Sequence, residues 1–153
     1  MTLKDDVNSL VELYGTCDPE TILRELGVSV CNTDLLPPST LAMKVTSDEE
    51  TTIGILDNLS EHTRKFVLAH ELGHVVEHAN NSTTFYRAFM SGYDIPKIEA
   101  EANRFAFYLL LSGLELNESF NKYDFVRSYG LPEELARFVN IKKRYIKIKE
   151  LSL

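Results

Sequence analysis

Phe66-Val67-Leu68-Ala69-His70-Glu71-Leu72-Gly73-His74-Val75-Val76-Glu77-His78-Ala79 carries an H-E-x-x-H pattern, His70 to His74, inside a run that reads as helix. At 3.6 residues per turn, His70 and His74 stand one above the other on one face, close enough for both imidazoles to bind a single ion. Glu71 lies about 100° round from that pair, so its carboxylate can reach a water on the ion without becoming a ligand. One histidine on a helix is usually structural. Two at a spacing of four, with a glutamate after the first, have the geometry of a zinc hydrolase.

Two histidines leave a Zn2+ site incomplete, because such an ion normally takes three protein ligands and keeps a fourth position for water. Downstream candidates are Glu77, His78, Glu99 and Glu101. His78 sits two turns, roughly 12 Å, along the helix from His70, so the three histidines cannot grip one ion, and Glu77 has the same difficulty of reach. A second packed helix has to supply the ligand. Pro96 opens one, with Ile98, Ala102, Phe105, Ala106, Leu109 and Leu110 as its buried stripe through about Leu111. Glu99 flanks that stripe while Glu101 turns toward solvent, which favours Glu99. Asn103, one turn beyond Glu99 on the same face, is placed to hold the distal nitrogen of a zinc histidine.

Working outward, Ser60 and Glu61 cap the central helix and Asn80-Asn81 break it near Ala79. Gly73, in mid-helix, costs about 1 kcal/mol against alanine, and close approach by a neighbouring element, such as a substrate-holding strand, compensates. Residues 80–95 read as a loop or short helix over the site. Upstream, residues 3–14 form an amphipathic helix stopped by Gly15, and Asp18-Pro19-Glu20 starts a second that Gly27 ends. Val28–Val30, Leu41–Thr46 and Thr51–Leu56 read as three short strands, with Ser47-Asp48-Glu49-Glu50 as a hairpin turn. A short helix near Tyr123–Tyr129 and a last one opened by Pro132 follow. Residues 141–149 make a basic, amphipathic tail that reads as a solvated face. The expected class is α+β: a small three-stranded sheet packed on several helices.

At 153 residues, with 44% hydrophobic content, the chain suits a single domain over residues 1–153. No apolar run approaches the roughly 20 residues of a membrane span, and the N-terminus has no signal-like apolar core, so a cytoplasmic protein is expected. Cys17 and Cys31 show no C-x-x-C spacing and read as reduced thiols. A net charge of −7 argues against direct binding to nucleic acid by the whole surface. Any part in gene regulation then runs through another protein.

Residues 66–74, followed by Glu99-Ala100-Glu101-Ala102-Asn103-Arg104-Phe105-Ala106, resemble the ImmA/IrrE family of bacterial and phage metallopeptidases. Tyr14-Gly15-Thr16 and Asp18-Pro19 are similar as well, so the likeness covers roughly residues 10–112. It implies a zincin-like, thermolysin-like arrangement in which His70, His74 and Glu99 bind zinc and Glu71 is catalytic. The spacing Glu99-x-x-x-Asn103 is similar to that of thermolysin-like enzymes, where the later residue supports a zinc histidine. The resemblance also implies a partner, a helix-turn-helix repressor whose cleavage would relieve repression of a phage, mobile element or stress regulon. A non-proteolytic antagonist that keeps the metal-site scaffold is the alternative. Family members usually continue the second motif as Phe-Ala-Ala-Glu-Leu-Leu, whereas Phe107, Tyr108 and Leu109 follow Ala106 here, a departure that bears on substrate choice more than on chemistry. For an oxyanion donor, Tyr86, Tyr93, His62 and His78 stay open.

Overall fold

A computed structural model describes residues 2–91 and 94–141. The N-terminal helix α1, Leu3–Tyr14, begins with a capping box in which Thr2 and Asp5 exchange side-chain and backbone hydrogen bonds, and ends at Gly15 with φ 67°. In α2, Pro19–Glu25, Asp18 accepts from the Thr21 N–H and Pro19 takes a first-turn position whose missing N–H costs nothing. Both helices form where their caps and stop signals place them.

Three strands follow: β1 (Ser29–Thr33), β2 (Thr40–Ser47) and β3 (Glu50–Leu56). The acidic run between β2 and β3 is a tight hairpin turn, with Asp48 and Glu49 at φ 50° and 68°, the twist that matches right-handed strands. A fourth strand, β4 (Thr83–Tyr86), joins β2 antiparallel, giving the order β1-β3-β2-β4 with β1 parallel to β3. The sheet therefore has four strands where the sequence suggests three, and the stretch expected as loop or short helix is partly strand. Its alternation spans only four residues, Thr83 and Phe85 buried with Tyr86 exposed, too few for a periodic signal to stand out. A 3-10 helix, Arg87–Ser91, follows it.

The central helix α3 spans Glu61–Glu77, capped by Ser60, and every residue from Phe66 to His74 is buried. It packs on β2 and β3, on α2, and most extensively on α4, Lys97–Ser112. Leu41, Ile53, Ile55, Phe66, Leu72, Phe85 and Phe105 share one hydrophobic cluster, which joins the sheet to this helix pair. The two helices meet most closely at Gly73, where an added Cβ would lie 3.1 Å from the Phe105 Cβ and 3.2 Å from its ring. The neighbour that justifies the glycine is thus a helix, not a strand. Near the end, α5 covers Lys122–Ser128, and the segment opened by Pro132 is a 3-10 helix, Glu133–Phe138, rather than an α-helix. The basic tail lies outside the described residues from position 142 onward. None of the described helices is long and apolar enough to cross a membrane.

Phe105 is fully buried and its Cβ is fixed to the α4 backbone, so it cannot yield to a methyl group at position 73. Gly73→Ala should therefore lower unfolding stability by about 1–2 kcal/mol despite the better helix propensity of alanine. Urea denaturation measures this, and a more stable variant would show that α4 can retreat.

Candidate metal centre

The Gly73–Phe105 contact brings the His70 and His74 face of α3 against the first turns of α4, where Glu99 and Asn103 project one turn apart. His70 Nε2 lies 3.0 Å from Glu99 Oε1, His74 Nε2 lies 3.2 Å from the same carboxylate, and the two Nε2 atoms are 3.1 Å apart. His70, His74 and Glu99 are 0%, 1% and 3% exposed, so these atoms meet out of water. Among the described residues, these three form the cluster of histidine and carboxylate groups compact enough to hold one metal ion.

Each ring has its other nitrogen engaged. Asn103 Oδ1 accepts from His70 Nδ1 at 2.8 Å, which leaves the lone pair of the neutral ring on Nε2, pointing at the cluster. His74 Nδ1 lies 3.0 Å from His78 Nδ1. The His70 ring also stacks on Phe85 of β4, with centroids 3.7 Å apart and planes 8° from parallel. The fourth strand thus fixes the plane of one histidine. Neutral rings in these tautomers turn two imidazole lone pairs and a carboxylate toward one another at little more than 3 Å. Such a set repels itself until a cation stands among it. The residues present fit a metal ion.

Electrostatics sharpen this picture. Burial by itself raises the Glu99 carboxyl, but in the metal-free protein a proton on Nε2 of either ring turns the close approach into a hydrogen bond, and such bonds from His70 and His74 outweigh burial and hold Glu99 at about 2, in the place an ion would take. His74 is pushed below the ordinary histidine range, chiefly by burial. Glu71 is 0% exposed, and neither of its carboxyl oxygens has a hydrogen-bond partner among the described residues. Burial, with the Glu99 charge added, raises it to about 8, against some relief from Lys44. Lys44, on β2 and 1% exposed, is a buried cation that sequence reading passed over. Its Nζ donates to the carbonyls of His78 and Asn81 at 2.8 and 2.6 Å, which ties the C-terminal end of α3 to the sheet. Strand alternation puts it on the same face as the buried Ala42, paired across to the buried Ile53 of β3.

The remaining candidates fall elsewhere. Glu77 faces Asp6 of α1, and burial together with that carboxyl raises it to about 7. Glu101 is half-buried rather than solvent-facing and pairs with His78 Nε2 at 3.7 Å. His62, in the first turn of α3, packs edge-on to Tyr129, two turns from His70. Tyr86 is exposed on β4 against Phe89, and Tyr93 lies outside the described residues.

The chain is similar to known proteins along most of its length. The sequence model of the M78 peptidases, described as the IrrE N-terminal-like domain, matches residues 23–148. "Uncharacterized immunity region protein 2" of Bacillus phage phi105 is 29% identical over 143 residues, covering 91% of this chain and 89% of the relative. "Metallopeptidase ImmA" of Bacillus subtilis (strain 168) is 27% identical over 139 residues, covering 91% and 78%.

Ionising a buried carboxyl destabilises the metal-free fold, so Glu71→Gln, which cannot ionise, should raise metal-free stability by about 1–3 kcal/mol once the pH is well above 4.5. The folded pKa of Glu71, about 8, lies above its ordinary value of 4.5. The stability tied to its protonated form is therefore complete below the ordinary value and lost as pH rises through about 8. The gain from Glu71→Gln should then be larger at high pH than at low pH in thermal melts of chelator-stripped protein. A gain that shrinks as pH rises would contradict this account.

Proposed function

Because the chain belongs to the IrrE N-terminal-like family of M78 peptidases, we propose that it is a zinc-dependent endopeptidase that cuts a helix-turn-helix repressor and so lifts repression. One observation carries the chemistry: the Nε2 atoms of His70 and His74 and the Glu99 carboxylate converge near Glu71, a buried carboxyl with no hydrogen-bond partner among the described residues. Ligands about 2.0–2.2 Å from zinc at tetrahedral angles stand roughly 3.3–3.5 Å apart. The separations of 3.0–3.2 Å are within a few tenths of that, in a zincin-like placing of ligands on two packed helices.

His70, His74 and Glu99 would hold the ion, which when bound polarises a peptide carbonyl and makes water acidic near neutral pH. Asn103 fixes the His70 tautomer by accepting its Nδ1 proton. Glu71 accepts a proton on a carboxyl oxygen as water adds to the scissile carbonyl carbon. It then returns that proton to the amide nitrogen as the carbon–nitrogen bond breaks. A dication beside Glu71 favours its charged form, opposing the burial that raises it in the metal-free protein. Lys44 adds positive potential in the same direction.

The repressor as substrate rests on the family likeness and on the printed name of the phage relative, an immunity region protein. A net charge of −7 makes the repressor protein, rather than DNA, the expected contact, with the chain acting as one catalytic domain in the cytoplasm. A second reading, antagonism by contact without cleavage, is favoured by the complete burial of Glu71, which a peptide reaches only if neighbouring residues move.

Co-expression with the helix-turn-helix regulator encoded beside the gene separates the two. The wild type should convert the regulator to a shorter fragment on an immunoblot. Glu71→Gln should slow cleavage by at least about 100-fold, and a chelator should stop it. An intact regulator whose promoter is nevertheless released by both proteins would overturn proteolysis in favour of contact.

A further inference from the structure

His74 and His70 are both held through their Nδ1 atoms, but by different means. His70 has an amide, Asn103, from the facing helix. His74 has His78, one turn further along its own helix, with the two Nδ1 atoms 3.0 Å apart. Resting on the metal-binding reading above, we propose that His78 is the positioning residue for His74, locking its tautomer and ring angle, and that Glu101 and Lys44 hold His78 in place.

The proton arithmetic allows one self-consistent pattern. With His74 Nε2 turned to the cluster and carrying a lone pair, the His74 proton resides on Nδ1. His78 Nδ1 must then accept it, which places the His78 proton on Nε2. That nitrogen is buried, has no hydrogen-bond partner among the described residues, and faces the Glu101 carboxylate at 3.7 Å. The chain His74–His78–Glu101 thus runs from neutral ring to neutral ring to anion, each proton pointing outward from the cluster. A carboxylate at its far end strengthens His74 as an electron-pair donor.

Backbone placement supports the same role. His78 is the last residue of the α3 end, at φ −133° and ψ 48°, outside helical geometry, so nothing in the helix itself fixes its ring. Lys44 fixes the backbone there, its Nζ gripping the His78 carbonyl at 2.8 Å and the Asn81 carbonyl at 2.6 Å, while Glu101 faces the ring. A fully buried lysine is costly unless its charge is well placed. Here it neutralises the carbonyl end of the helix and pins the residue whose ring supports His74.

Zinc affinity tests this without reference to peptidase activity. Full-length wild type, His78→Ala, His78→Asn and Glu101→Gln are titrated with zinc against a chromophoric chelator, and their metal-free melting temperatures are compared. His78→Ala should weaken zinc binding by about 10–100-fold. His78→Asn, whose amide oxygen can take the place of Nδ1, should recover most of that loss, and Glu101→Gln should show a smaller loss. Metal-free melting temperatures of the alanine and asparagine variants should be alike. If the alanine variant binds zinc as tightly as wild type, or alanine and asparagine weaken it equally, the positioning role is wrong while the metal site stands. If wild type itself takes up no zinc, the metal-binding reading falls and this inference falls with it.

Discussion

The close approach of α3 and α4 at Gly73 and Phe105 is the constraint on which the rest depends. Ligands at His70 and His74 come from one helix and Glu99 from another, so their convergence is set by the distance between two backbones. A glycine lets that distance shrink to the point where a methyl group would meet the Phe105 Cβ at 3.1 Å. With any wider spacing, the Glu99 carboxylate would no longer lie within 3.2 Å of both rings. The mid-helix glycine, a local weakness, is repaid at the level of packing. The sheet contributes the next layer of restraint: β4 lays Phe85 flat on the His70 ring, and β2 sends Lys44 to the end of α3.

This arrangement concentrates unfavourable terms in one place. Two imidazole lone pairs face a carboxylate, a second carboxyl lies buried without a partner, and a lysine sits fully inside the core. The first two lower the stability of the metal-free chain and become sensible once a cation occupies the cluster, whereas Lys44 is met by the His78 and Asn81 carbonyls and offsets part of the cost of burying Glu71. The opposed behaviour of the two glutamates shows how environment assigns roles. Glu99, wherever a ring donates an Nε2 proton to it, is held at about 2, whereas Glu71, buried with no partner among the described residues, rises to about 8. Identical carboxyls would titrate together in water; inside this core they are driven to opposite ends of the scale.

Much of this was legible in the sequence, for stated reasons. The first helix appears over residues 3–14, stopped at Gly15, and the second starts behind the Asp18 cap at Pro19 and ends at Glu25, just short of Gly27. His70, His74 and Glu99 could be placed together because an i, i+4 pair and a neighbouring apolar stripe fix faces without tertiary knowledge. Asn103 followed from its spacing to Glu99, and the structure sets it on His70. What escaped was decided by tertiary contact. The strand β4 exists because β2 offers it an edge, and four residues of Thr, Phe and Tyr carry too short an alternation to announce it. The segment after Pro132 tightens to a 3-10 helix while burying Leu135, Ala136 and Phe138, a choice that helical start signals do not make. Glu101 was read as solvent-facing from its angle on α4, but His78 reaches out to it from the end of α3.

The burial of α3 distinguishes a site from a coincidence of motif. Nine consecutive residues, Phe66 to His74, are enclosed on all sides, so polar members of that run lose their hydration whichever way they point. In a helix with one wet face, two histidines and a glutamate could simply be solvated, and their spacing would mean little. Enclosed, they must be satisfied by protein or by an ion. Asn103 and His78 satisfy the outer nitrogens, and nothing among the described residues satisfies the Glu71 oxygens. The Glu71 carboxyl is thus left beside the cluster in low-dielectric surroundings, where charge acts most strongly.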